Sequence, residues 1–245
     1  MRLKVLGSSS KGNCYLLIAE SGQTLAIEAG VRFTEVQKAI GFITNDIIGC
    51  LVSHEHQDHA KFADQFMDHA IDVICSQGTA AHLQQHHRRK TIHPNHTYKL
   101  GEFKIFAFDV VHDAAEPFGY IINHPESGNI LFLTDTFYSE YTFKGLNNLL
   151  LEVNYDEKIL AANIESGRLN PSIRRRIETS HMSLQTALEL LNANDLSAVN
   201  NIVLIHLSDG NSHAENFGQT VKTATGKNVT VADSGLEMPF NKTPF

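Results

Sequence analysis

The chain has 245 residues, 42% of them hydrophobic, so it is long and apolar enough to bury a real core and lacks the composition of a disordered chain. Its formal net charge of -7 argues against constitutive, sequence-blind binding to nucleic acid, which needs a broad positive surface. Three cysteines, no apolar run of membrane-spanning length and an N-terminus too short in apolar residues for a secretory leader argue against a disulfide scaffold or a membrane protein; the expected location is the reducing cytoplasm.

One domain spanning residues 1–245 is expected. Residues 3–6 read as a strand leading into the polar loop 7–13, and residues 14–19 as its return. Residues 24–28 make a third strand. Thr34 reads as an N-cap for a helix over 35–40, stopped by Gly41. The apolar run 47–52 is a strand that delivers a histidine cluster. A short helix is expected over 60–69, a strand over 73–75 and a helix over 79–87. Residues 103–110 alternate as a strand does and stop just before His112.

Residues 119–122 and 130–133 form a hairpin around 125–129, and its second strand ends at Thr134-Asp135. Residues 149–153 are another buried strand. The polar stretch 156–180 reads as irregular. Ser183 caps an amphipathic helix with Leu184, Ala187, Leu188 and Leu191 on one stripe. Residues 201–205 are a strand that ends at His206, followed by a helix over 216–225 and a strand over 229–232.

Fourteen histidines are the compositional oddity, and the cluster His54-x-His56-x-Asp58-His59 accounts for part of it. Imidazoles and a carboxylate aimed into one pocket from a strand end suit Zn²⁺ or a similar divalent ion. His54, His112, Asp135 and His206 each follow the C-terminal end of an apolar strand. Strand ends on one rim of a sheet converge, which is how distant residues make one site.

In this order, His54, His56, Asp58, His59, His112, Asp135 and His206 resemble the metal ligands of the metallo-β-lactamase-fold hydrolases. The loop 7–14, Val111-His112-Asp113-Ala114, Leu133-Thr134-Asp135-Thr136 and Ile205-His206-Leu207-Ser208-Asp209 are similar to the YycJ/WalJ-like branch. The resemblance implies an α/β fold, the four-layer αββα sandwich, with two divalent metal ions at one edge. It implies that His54, His56 and His112 hold one ion, that Asp58, His59 and His206 hold the other, and that Asp135 bridges them. The β-lactam-degrading enzymes commonly lack a histidine where His59 stands, and the oxygen-reducing diiron branch has an acid in place of His56. The third strand of the family usually ends in Asp; here Glu28 stands there, able to orient a ligating imidazole but longer by one methylene.

Two divalent ions bring four positive charges, of which Asp58, Asp135 and a bridging hydroxide offset three. Such a centre prefers an anionic substrate, and paired ions about 3.5–4 Å apart suit a phosphodiester. His181, just before the capped helix, stands where ribonuclease Z-like relatives carry a histidine that contacts phosphate or supplies a proton. Arg174, Arg175 and Arg176 are either a backbone-binding patch or a solvated face. Ser8, Ser9, Ser10 and Asn13 either line the pocket or form an ordinary turn. His82, His86, His87, His93 and His96 overlap Arg88, Arg89 and Lys90, whose charge disfavours a metal, and read as exposed. His69, His124 and His213 read as surface residues, and Tyr138, Tyr141 and Phe143 as packing or base-stacking residues.

The reading is a dinuclear metal-dependent hydrolase, a phosphodiesterase or nuclease, with DNA exonuclease action as the form implied by the resemblance. A metal-bridging hydroxide would attack phosphorus, Asp58 would orient it, and His181 would serve the leaving oxygen. Zn²⁺ fits the ligands and Mn²⁺ suits the carboxylates. The alternatives are a thioesterase or lactonase of glyoxalase type, and a non-enzymatic regulator that retains the fold. The expected partner is a nucleic acid or another phosphodiester, with no membrane.

Overall fold

Leu-, Ile- and Val-rich runs of four to eight residues alternate with short polar turns, and in the computed structural model, which describes residues 1–244, they assemble into two seven-stranded sheets. Strands β1 (Arg2–Ser9), β2 (Gly12–Ile18), β3 (Thr24–Ile27), β4 (Ile47–Leu51), β5 (Val73–Cys75) and β6 (Arg89–Thr91) lie side by side in the first sheet. Strands β7 (Thr97–Leu100), β8 (Phe103–Asp109), β9 (Phe118–His124), β10 (Gly128–Leu133), β11 (Leu146–Glu152), β12 (Asn201–Ile205) and β13 (Asn228–Val231) make the second in the same sequential manner. The last strand, β14 (Glu237–Pro239), returns to pair with β1.

Both sheets share one order of pairing. β1, β2 and β3 are antiparallel neighbours, and β3, β4, β5 and β6 are parallel. β8, β9 and β10 are likewise antiparallel, and β10, β11, β12 and β13 parallel. Parallel neighbours require crossover connections, and these carry the helices. In the first sheet they are α1 (Phe33–Ala39), α2 (Gln57–Ala60), α3 (Ala63–Asp68) and α4 (Gln77–His82). In the second they are α5 (Glu157–Glu165), α6 (Arg174–Ser180), α7 (Leu184–Ala193) and α8 (Ala214–Thr225).

The strands are buried on both faces, which sets the layers. Leu3, Val5, Tyr15 and Leu17 meet Phe103, Ile105, Tyr120 and Phe132 between the sheets. The opposite faces of β2 and β4, through Cys14, Leu16 and Cys50, pack on Phe33 and Val36 of α1 and Phe66 of α3. Leu131, Leu149 and Leu204 pack on Leu184 and Leu191 of α7 and Phe217 and Val221 of α8. The result is the αββα sandwich, helices outside and two sheets face to face. Burying all three cysteines leaves them as free thiols. No helix among the described residues is long and apolar enough to cross a membrane.

Several local expectations are corrected. Thr34 lies inside α1, which starts one residue earlier, after Arg32, with no side-chain cap. The helix expected over 60–69 is two short ones, α2 and α3, broken at residues 61 and 62. The helix expected over 79–87 starts earlier because Ser76 caps it through the Thr79 amide, and it ends at His82. The stretch 156–180 is not irregular: Asp156 caps α5, accepting from the amides of Lys158 and Ile159, and α6 follows. His124 is buried, its ring 4.5 Å from that of Phe103 and its Nε2 3.3 Å from Glu102 Oε2.

Candidate metal centre

The carboxyl ends of the strands that begin each parallel run open on one rim, and the site is built there. β3 ends at Glu28, β4 at Ser53-His54, β10 at Asp135, β11 at Glu152 and β12 at His206. Glu28, Asp135 and His206 have φ of 67°, 44° and 54°, a left-handed backbone that side chains rarely adopt. Such positions cost on the order of 1–3 kcal/mol each and persist where the surrounding structure over-determines them. Here hydrogen bonds supply that constraint at two of them: the Glu28 amide donates to Leu51 O of β4 (2.7 Å) and the His206 amide to the Ser8 hydroxyl of the other sheet (3.0 Å).

The local cluster is folded by a single helical turn. The amides of His59 and Ala60 both donate to the carbonyl of His56, which sets Asp58 and His59 facing the sheet rim. Gly30 makes the approach possible, because any Cβ there would collide with the carbonyl oxygen of Asp58. Asn13 reaches across from β2, its Nδ2 3.2 Å from both Asp58 O and His59 Nε2.

All seven expected ligand residues come together. Asp135, only 2% exposed, sits at their centre, and its two oxygens face different sets. Oδ2 lies 3.7 Å from His54 Nε2 and 3.5 Å from His112 Nε2. Oδ1 lies 3.4 Å from His59 Nε2 and 3.5 Å from His206 Nδ1. His56 Nδ1 is 3.1 Å from His112 Nε2, and Asp58 Oδ2 is 3.0 Å from His206 Nε2 and 3.3 Å from His59 Nε2. The groups His54, His56, His112, Asp135 and Asp58, His59, His206 are each close enough to hold an ion.

The outer ring nitrogens show how the imidazoles are oriented. His112 Nδ1 donates to Ser180 O at 2.7 Å, and because a carbonyl only accepts, its Nε2 presents a lone pair to the centre. His54 Nδ1 is 2.9 Å from Ser53 Oγ and His59 Nδ1 3.6 Å from Glu28 Oε2, whereas His206 Nδ1 lies between Asp135 Oδ1 (3.5 Å) and Glu152 Oε1 (3.4 Å). His54 Nε2 is buried and has no hydrogen-bond partner. A buried polar nitrogen without a partner is costly, and a divalent cation bound to its lone pair satisfies it.

Charge points the same way. Glu28, Asp135 and Glu152 are fully buried carboxylates, and Asp58 is largely so. Burial opposes the ionisation of Asp58, but hydrogen bonds from His206 and His59 outweigh it and hold the carboxyl well below its usual range. Burial likewise opposes a proton on His206, yet Asp135 and the hydrogen bonds with Asp58 and Glu152 raise it to about 10. His59 is raised by Asp135 and Glu28 against its burial, whereas His54 is driven down by burial and by His59 beside it. The buried carboxylates demand positive charge close by, which a divalent ion among these imidazoles would supply. The residues therefore fit a divalent metal.

His181 joins the same cavity, its Nδ1 2.7 Å from Glu152 Oε1. Arg176 lies at the cavity mouth, its Nε 3.1 Å from Asp113 Oδ2. Ser10 lines this cavity, Ser8 is held by Tyr15 and His206, and Tyr138, Tyr141 and Phe143 do not line it. The tract His82, His87, His93 and His96 is exposed and away from the site, with His86 half-buried, and His69 and His213 are exposed. Glu152 and Asn154 are site residues that the sequence reading did not single out. Asn154 Nδ2 is 3.2 Å from His206 Nδ1, and the Glu152 carboxylate also takes the amides of Thr136 and Met182. The available signal was an acid closing the apolar run 149–151, the same address as the other ligands.

Residues 30–207 match the family described as Beta-lactamase superfamily domain. The chain is 29% identical over 231 residues to the exodeoxyribonuclease YycJ of Bacillus anthracis, covering 88% of this chain and 85% of that one. It is 26% identical over 255 residues to the exodeoxyribonuclease WalJ of Streptococcus pneumoniae, covering 98% and 92%. Its fold is similar to that of the metallo-β-lactamase fold protein YhfI from Bacillus subtilis, with a TM-score of 0.73 at 16% identity over 97% of this chain and 98% of that one.

Glu28 touches no open part of the site; it accepts the Ser53 amide and its carboxylate stands 3.6 Å behind His59 Nδ1, placed to orient that ring when the imidazole holds a metal. Glu28→Ala is expected to weaken metal binding by about 10–100-fold, the usual cost of losing a carboxylate behind a ligating imidazole. Titration against a competing chelator measures this, and unchanged affinity would contradict the role given to Glu28.

Proposed function

The chain belongs to the β-lactamase superfamily, and from that premise we propose that it is a dinuclear metal-dependent hydrolase of phosphodiesters, in its specific form a DNA exonuclease. The observation that carries the reading is the division of Asp135, one oxygen toward His54 and His112 and the other toward His59 and His206. In this reading His54, His56 and His112 hold one ion, Asp58, His59 and His206 a second, and Asp135 both. Imidazole-rich donors favour Zn²⁺, and the carboxylates accommodate Mn²⁺. Bound divalent ions lower the pKa of a coordinated water and offset charge that builds on phosphoryl oxygens. Two relatives named as exodeoxyribonucleases support DNA as the polymer. Buried free thiols suit a cytoplasmic location.

The protein's own groups have separable tasks. Asp58, held ionised by His59 and His206, borders the cavity and orients the nucleophile. Glu152 fixes the His181 ring through Nδ1 and, with Asp135, favours its proton against the opposing effect of burial. His181 Nε2 has no hydrogen-bond partner among the described residues, which leaves it to donate to the leaving oxygen. A phosphodiester uses both tasks and the positive centre; a thioester or lactone presents a single neutral carbonyl.

Chelator-stripped protein should hydrolyse bis(p-nitrophenyl) phosphate only after Zn²⁺ or Mn²⁺ is returned, and Asp58→Ala should lose more than about 10²-fold of that turnover. Turnover of thioesters or lactones without the diester would replace the phosphodiesterase reading. His181→Ala should discriminate leaving groups. A dinucleotide, whose alkoxide needs a proton, should lose about 10²–10⁴-fold, and the p-nitrophenyl ester much less. Equal losses on the two substrates would remove the proton-donor role of His181.

A further inference from the structure

Three cavities meet at the loop that follows His206. The one holding the candidate ligands has a volume of ≈ 340 Å³. A second, of ≈ 530 Å³, is lined by Asn163, Arg168, Leu169 and residues 208–211, and shares Ser208 and Asn211 with the first. A third, of ≈ 690 Å³, lies between the β1–β2 turn and the start of α8 and shares Leu207 and Ser208 with the first. Cavities that share walls with the site leave room beside it for a substrate longer than a small ester.

Charge separates the two flanking cavities. The third contains the Lys11–Asp209 pair and, beyond it, the carboxylate of Asp233, so it is net negative. The second contains Arg168, which is exposed and has no ion-pair or hydrogen-bond partner among the described residues. Its one carboxylate, Asp209, is already engaged by Lys11 Nζ at 2.8 Å. Beside the metal centre Arg176 is held by Asp113. Arg168 is therefore the unpaired cation of the second cavity, while Arg176, paired with Asp113, lines the first.

The walls of the second cavity are fixed. Asn163 Nδ2 donates to Gly210 O at 2.9 Å and to Asn211 Oδ1 at 3.0 Å, and the Asp156 amide donates to Asn211 O at 2.9 Å. The Leu169 amide donates to Asn163 O at 3.0 Å, which places a half-buried apolar side chain beside the arginine. An apolar contact next to an unpaired guanidinium matches a sugar or base followed by a phosphate.

We propose that this cavity is a subsite for the nucleotide adjoining the scissile phosphodiester of a single-stranded nucleic acid, with Arg168 on its phosphate and Arg176 exchanging Asp113 for the reacting phosphate. The proposal rests on the phosphodiesterase reading above. The test compares metal-loaded wild type, Arg168→Ala and Arg168→Lys on a fluorescent oligothymidylate and on bis(p-nitrophenyl) phosphate. Arg168→Ala should lower kcat/KM for the oligonucleotide by about tenfold more than for the small diester, and Arg168→Lys should recover most of that loss. The log–log slope of oligonucleotide affinity against salt should fall by about 0.7, the contribution of one phosphate contact on a single strand.

Equal losses on both substrates, or no loss on the oligonucleotide, would overturn the subsite. So would an equal loss in Arg175→Ala, a neighbouring exposed arginine that lines neither cavity, because the effect would then be general surface charge. Wild type that cleaves the small diester but neither binds nor cleaves the oligonucleotide overturns the subsite and leaves phosphodiester hydrolysis standing. Wild type inactive on both substrates overturns the functional reading, and the subsite falls with it.

Discussion

One buried carboxylate sets the terms for the rest of this structure. Asp135 lies where imidazoles from β4, the β8–β9 loop, α2 and β12 converge, and each of its oxygens faces a different pair of them. An ionised carboxylate in that position is tolerable only with compensating positive charge close by. The left-handed backbone at Glu28, Asp135 and His206, the missing Cβ at Gly30 and the acceptors behind the imidazoles all serve that arrangement. They are held by the sheets, whose pairing fixes where each strand ends.

The repeated order of pairing gives this placement a structural cause. In each sheet three antiparallel steps precede three parallel ones, and the strand at the change of direction, β3 or β10, ends in a buried acid with left-handed backbone. Glu28 and Asp135 thus occupy equivalent addresses in the two halves, although no internal repeat is visible in the sequence. One acid faces the ligands directly, and the other stands behind His59. The Glu28 carboxylate accepts the Ser53 amide and stops 3.6 Å from His59 Nδ1.

The sequence shows the site better than it shows the chain around it. His54, His56, Asp58 and His59 are legible because metal-ligand spacing is local, and His112, Asp135 and His206 because each closes an apolar run. Glu152 escaped because its strand is hydrophobic on both faces, so the acid looks like a strand terminus until His181 and His206 are placed against it. β6, β7 and β14 are short edge strands of mixed polarity, with no strong period to read. The helices of 156–180 are short and polar, and are marked by a cap at Asp156 rather than by an apolar stripe. His124 is buried through Phe103 and Glu102, contacts that only the tertiary fold supplies.

The measurement that tests the account most directly is anomalous X-ray scattering at the zinc and manganese edges from crystals of the purified protein. The expected result is two peaks flanking the Asp135 carboxylate, one among His54, His56 and His112 and one among Asp58, His59 and His206. Peaks elsewhere, or none after growth with both metals, would contradict a metal centre organised by Asp135.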